Sequence, residues 1–169
     1  VPVVEIVPAP WTSEAAVEKA TRLMDSVGQV PVQVRREVSG FVLNRLQGAL
    51  LREAWALYAE GYASLEDIDK TVSAGLGRRW SFMGPFETID MNAPGGIRDY
   101  AERLGGLYLD IARERADPQP WSKELIAKAE AERRAALPLD DLGKRSQWRD
   151  RRLMALSAHM AGRLAVEGK

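Results

Sequence analysis

The stretch SGFVLNRLQGALLREAWALYAEG, residues 39–61, constrains this chain more than any other. Phe41, Val42, Leu43, Leu46, Leu50, Leu51, Trp55, Leu57 and Tyr58 fall at spacings that cover most of the circumference of one helix. A helix apolar nearly all round belongs at the centre of a helical core or against another subunit. Ser39 is placed to cap its N-terminus, and Gly61 to end it after about twenty residues.

Around that helix the pattern changes once, at Arg35 and Arg36. Upstream, Val3 to Val7 is β-branched except at Glu5, and prolines at 2, 8 and 10 bound it. Continuous apolar character without alternation predicts a strand covered on both faces. Thr12 or Ser13 then offers a cap for a helix running to about Ser26, and Gly28 ends it. Residues 29–34, QVPVQV, follow as a second strand, so the opening reads as one strand-helix-strand unit of an α/β layer. Downstream the periodicity is helical only. SLED at Ser64 is a capping box with Asp67 that leads a short helix to Gly75. The segment Gly75 to Phe86 is expected to be a loop. Helices are then expected from Pro85 through Met91, from Ile97 to Leu109, from Ser122 to Ala136 and from Ser146 to Val166, broken at NAPGG and RADPQPW and turned at LPLDD. The predicted division is a strand-helix-strand domain over 1–36 and a helical domain over 37–169.

Charge and composition exclude several classes of function. Lys plus Arg and Asp plus Glu both number 24, so no overall basic field points to nucleic acid or to an anionic membrane. No apolar run reaches the roughly 20 residues that span a bilayer, and no signal-peptide pattern is present. Cysteine is absent, which excludes disulfides, zinc-thiolate sites and thiol nucleophiles and fits a reducing, cytoplasmic setting. His159 is the sole histidine, so no multi-histidine metal site is expected. The chain opens at Val1 in an apolar segment, and it is expected to be a piece of a longer protein. Strands at 1–8 and 29–35 would then have edges that pair with another chain or with a preceding segment.

Few residues carry chemistry. GLGRRW has the outline of a dinucleotide fingerprint, but Trp80 replaces its third glycine and a helix precedes it, so it is rejected as a phosphate site. Glu5 projects among valines. It is either an edge-strand charge that blocks aggregation or a carboxylate that orients a catalytic base lying elsewhere. Asn44 sits in the first turns of the apolar helix, where a buried asparagine needs a hydrogen-bond reason, in capping or interface contact or in ligand contact. Arg78 and Arg79, beside Trp80, are either a solvated pair or a grip on a carboxylate. Glu53, mid-helix, reads as a satisfied structural carboxylate.

Taken together, VVEIVPAPWTS, SGFVLNRLQGALLREAWALYAEGYASLEDID and MGPFETID resemble the 3-hydroxyacyl-CoA dehydrogenase superfamily, from the end of its NAD-binding domain through its helical C-terminal domain. GLGRRWSFMGPFETIDMNAPGGIRDYAERLG and SQWRDRRLMALSAHMA are similar to its lambda-crystallin branch, the L-gulonate 3-dehydrogenases. The resemblance implies a mainly α fold: a helical domain like that of 6-phosphogluconate dehydrogenase, preceded by the strand-helix-strand remnant of a Rossmann NAD-binding domain. It also implies a site. Glu5 matches the strand glutamate that pairs with a catalytic histidine about a dozen residues upstream, a histidine that would precede Val1. Asn44 matches the asparagine that faces substrate. Arg79 matches an arginine typical of the branch, which strengthens the carboxylate grip. The implied reaction is NAD-dependent oxidation of the C3 hydroxyl of a small polar acid such as L-gulonate, with 3-hydroxyacyl-CoA oxidation or a non-catalytic, crystallin-like role as alternatives. NAD would be bound mainly by a domain outside this sequence, NAD and NADP being told apart there, and the 169 residues alone would be inactive. A homodimer through the helical domain is the implied partner.

Overall fold

The structure is a computed structural model that describes residues 2–167, with side chains through Gly162. Val1 and residues 168–169, which the predicted domains include, lie outside the described residues, as do the side chains at the end of the last predicted helix. The described chain is mainly helical with one two-stranded parallel sheet, and it divides into compact units over residues 1–62 and 63–169.

In the first unit, strand β1 (Val3–Ile6), helix α1 (Glu14–Ser26) and strand β2 (Val30–Gln33) follow in the predicted order. β1 and β2 pair in parallel, with Val3 opposite Val30 and Glu5 opposite Val32. A parallel pair needs a crossover between its strands, and α1 provides it. Ser13 rather than Thr12 is the cap: its hydroxyl accepts from the Ala16 amide at 3.3 Å. Val34, just past β2, is buried, and its amide donates to the Ile6 carbonyl at 2.9 Å. The strands are not covered on both faces as their composition predicts, because Val30 and Val32 are exposed. β-branched runs record strand propensity as well as burial, and here the propensity stands without the cover.

Helix α2 (Phe41–Ala59) begins differently from its sequence expectation. Ser39 does not cap it. The chain enters through Gly40 at φ 79° and Phe41 at φ 49°, two left-handed residues in succession. Gly40 tolerates this freely, whereas a bulky aromatic residue there is strained. Tyr58 is buried near the end of α2, edge-on to Trp55 with ring centroids 6.3 Å apart, and Gly61 follows as the predicted stop.

The second unit opens with α3 (Leu65–Lys70), capped by Ser64, whose hydroxyl accepts from the Asp67 amide at 3.1 Å and donates to the Asp67 carboxylate at 2.7 Å. The expected loop at Gly75 to Phe86 is in part helical. The chain continues from α3 through a π-helical segment, Thr71–Leu76, into α4 (Gly77–Trp80), and the non-helical stretch comes only after Trp80. The Gly77 amide bonds back to the Val72 carbonyl, one residue farther than in an α-helix, and a Cβ at Gly77 would lie 3.0 Å from that oxygen. Glycine here admits the wide turn rather than ending the helix.

Helix α5 (Pro85–Met91), with proline at its first position, packs on α6 (Gly96–Glu114). Between them Gly96 holds φ 72°, and a side chain there would bring Cβ to 2.8 Å from Asp90 Oδ1, the atom that accepts the Ile97 amide at 2.8 Å. Thr88 is buried, with its hydroxyl donating to the Gly84 carbonyl at 2.7 Å. Helix α7 (Lys123–Ala136), capped by Ser122, meets α3, and Arg133 approaches Asp69 at 3.7 Å. A 3₁₀ turn at Leu139–Asp141 feeds directly into α8 (Leu142–Glu167), so the last helix starts four residues before the expected Ser146.

Candidate active site

Glu5 stands at the third position of β1, half-buried. Its Oε1 accepts the Val42 amide at 2.7 Å and the Leu43 amide at 3.1 Å, 37 and 38 residues along the chain. These are the second and third residues of α2, whose amides have no partner within the helix. A carboxylate is well suited to them, because the N-terminal end of a helix favours negative charge. Glu5 thus takes the place expected of Ser39, and it is neither an idle edge charge nor unpartnered among valines. Both bonds fall on Oε1, and Oε2 accepts none among the described residues.

Asn44 follows Leu43 directly, so the structure brings Glu5 and Asn44 to the same first turn of α2. Asn44 is exposed and makes no side-chain hydrogen bond among the described residues, contrary to the expectation that its side chain is buried and committed. α2 is not enclosed within its unit, which explains the difference: Val42, Leu43 and Leu46 around Asn44 are exposed too.

Arg79 lies on α4 in the other compact unit, exposed, with no ion pair among the described residues. Sequence reasoning passed over its surroundings. Tyr100 and Tyr108, both on α6, place their hydroxyls 2.7 Å apart, with rings stacked at 6.4 Å between centroids. The bond to Tyr100 and partial burial raise the Tyr108 hydroxyl above its ordinary value of 10.0, while the positive charge of Arg79 acts in the opposite direction. Tyr108 therefore remains a neutral hydrogen-bond donor at neutral pH. Their spacing of eight is a two-turn helical repeat, the one signal in the sequence that pairs them.

No group of three or more His, Cys, Asp or Glu residues placed to hold a metal ion occurs among the described residues. No described helix is long and apolar enough to cross a membrane. β1-α1-β2 has the topology of a nucleotide-binding layer, but residues 7–13 between β1 and α1 include Pro8 and Pro10 and no glycine. Such a turn lacks the close-approaching backbone and free amides that cradle a pyrophosphate, so these residues do not form the phosphate-binding part of an NAD site.

Comparison with known proteins yields consistent matches. Residues 40–138 match the family model of the 3-hydroxyacyl-CoA dehydrogenase C-terminal domain, and residues 1–38 that of the 3-hydroxyacyl-CoA dehydrogenase NAD binding domain. A lambda-crystallin homolog of Homo sapiens is 39% identical over 93% of this chain and 50% of its own length. An L-carnitine dehydrogenase of Pseudomonas syringae pv. syringae is 40% identical over 62% of this chain and 33% of its own. Among solved structures, the NAD+-dependent dismutase 5-formyl-3-hydroxy-2-methylpyridine 4-carboxylic acid 5-dehydrogenase superposes with a TM-score of 0.69 at 26% identity, covering 99% of this chain and 53% of that one. The chain spans about half the length of the lambda-crystallin relatives it matches.

Proposed function

Because this chain belongs to the 3-hydroxyacyl-CoA dehydrogenase family, we propose that it is the substrate-binding and dimerising part of an NAD-dependent dehydrogenase that oxidises the C3 hydroxyl of a small polar hydroxy acid such as L-gulonate. The supporting observation is the carboxylate of Glu5, held by two amides at the start of α2, one residue before Asn44. A carboxylate anchored through one oxygen keeps the other for a second partner. In the proposal that partner is the imidazole of a histidine outside these residues, since the chain's own His159 lies exposed on α8 in the other unit. Glu5 fixes the imidazole tautomer and stabilises its cation once the substrate hydroxyl has lost its proton, by the logic of the aspartate in a Ser-His-Asp triad. Asn44, exposed beside it, hydrogen-bonds the substrate, and Arg79 takes its carboxylate by paired N–H donors.

Two relatives favour an acid over a thioester. L-carnitine is itself a hydroxy carboxylate, and the solved neighbour is a dehydrogenase of a carboxylic acid. The family name favours the second reading, oxidation of a 3-hydroxyacyl-CoA. In this proposal the strand-helix-strand end of the NAD domain closes at residue 36, NAD is held mainly by residues outside this sequence, and the enzyme is a cytoplasmic homodimer. The 169 residues alone are then without turnover.

Kinetic assay of the full-length enzyme with L-gulonate and with 3-hydroxybutyryl-CoA separates the readings. L-Gulonate is expected to be the better substrate, and Arg79→Ala is expected to raise its KM about tenfold or more, the value of a charge-assisted hydrogen bond. An unchanged KM sinks the carboxylate grip. Turnover of 3-hydroxybutyryl-CoA alone establishes the second reading, and turnover of neither favours a structural, crystallin-like role.

A further inference from the structure

The Tyr100–Tyr108 hydroxyl pair has no part in the chemistry assigned above, yet it lies within electrostatic reach of the one arginine to which a ligand role is given. In a bonded pair of phenols each oxygen accepts or donates, and one O–H hydrogen is left over. That hydrogen is free to donate to a third group. Arg79 contributes a planar fork of N–H donors and has no carboxylate partner among the described residues. A cation and a leftover O–H donor, with no acidic group paired to either, suit an anion with two or more acceptor oxygens.

We propose that the Tyr100–Tyr108 pair is the second half of a carboxylate-recognition site with Arg79, with Tyr108 donating to the bound carboxylate and Tyr100 fixing the direction of that donation. The proposal rests on the reading that this enzyme acts on a hydroxy acid, and it makes Tyr108 a determinant of acid over neutral substrates. Tyr108 remains 51% exposed, so water competes for its hydrogen bond and the effect is modest beside that of the guanidinium. An uncharged carboxamide, which offers one acceptor oxygen and no charge, loses most of this recognition.

The test uses the full-length enzyme, wild type and Tyr108→Phe, with L-gulonate, L-gulonamide and 3-hydroxybutyryl-CoA. The variant is expected to raise the KM for L-gulonate about fivefold, leave its kcat within about twofold, and leave the KM values of the amide and the acyl-CoA unchanged. Tyr100→Phe should give a smaller rise of the same kind. Equal rises for acid and amide would mark a packing role and overturn the proposal, as would a rise confined to the acyl-CoA, which would place a phosphate in the site. A second readout does not depend on turnover: gluconate added to the wild-type protein should perturb tyrosine absorbance near 285 nm, and Tyr108→Phe or Arg79→Ala should abolish that change. If the enzyme oxidises no hydroxy acid but the gluconate signal is present, the recognition site stands and the proposed reaction fails. If the signal is absent from the wild type, the site itself is refuted.

Discussion

Glu5 shows how one side chain can carry two kinds of consequence that substitution can separate. Its Oε1 satisfies two amides of α2 at 2.7 and 3.1 Å, whereas the proposed catalytic contact uses the other oxygen. Glutamine preserves an acceptor oxygen for the amides but not the negative charge. Alanine removes both. Glu5→Ala is therefore expected to destabilise the full-length protein by about 1–2 kcal/mol, as the loss of a helix cap does, and to abolish turnover. Glu5→Gln should keep most of that stability while losing most of kcat. Thermal unfolding beside steady-state kinetics reads both, and a Gln variant with near-normal kcat would leave Glu5 a cap and nothing more. The carboxylate among valines was legible at once as an anomaly. Its partner was not, because a cap supplied from 37 residues away leaves no mark near Ser39, where local rules look for one.

At the scale of elements, most of the order of strands and helices follows from periodicity and breakers. β1-α1-β2, α2 ending at Gly61, α5 starting at Pro85 and α7 capped by Ser122 all stand where Val3, Ser13, Gly61, Pro85 and Ser122 put them. Two features escaped for physical reasons. The glycines at 75 and 77 signal a break by composition, but a π-helical turn absorbs them without ending the helix. Tyr100 and Tyr108 are neighbours only once α6 runs unbroken across both. By contrast, NAPGG announced the α5–α6 corner correctly, and the structure shows why it must contain glycine. Gly96→Ala forces a left-handed residue to carry a Cβ against Asp90 Oδ1, the acceptor for the first turn of α6. It is expected to destabilise by about 1–3 kcal/mol, measured by urea unfolding, and a neutral result would mean that the corner relaxes without cost.

At the scale of the molecule, the balance between buried and exposed apolar groups is the informative quantity. Val34, Tyr58, Ala93 and Ala129 are buried, but no large side chain is fully enclosed among the described residues. On α2, Phe41, Val42, Leu43, Leu46 and Leu51 remain exposed. Covering one leucine of this kind is worth about 1.5–3 kcal/mol, so a helix with several has a large incentive to associate. The apolar circumference of α2 left two settings open in the sequence, a core or an interface, and its exposure within its own unit favours the interface. In the proposed dimer α2 is covered by the second subunit. Sedimentation of the full-length protein at micromolar concentration should give twice the monomer mass, and Leu46→Glu should shift it toward the monomer. A wild-type monomer would reject the dimer.

The π-helical turn at Thr71–Leu76 also sets the rotational phase of everything that follows it on the same rod. It accommodates one residue more than the α-helix it interrupts, and one residue corresponds to about 100° around a helix axis. Deleting a single residue from this turn would let α3 and α4 fuse into one regular helix and carry Arg79 roughly a quarter of the way round. The direction of the guanidinium is thus encoded as a count of residues before it, independently of which residues they are.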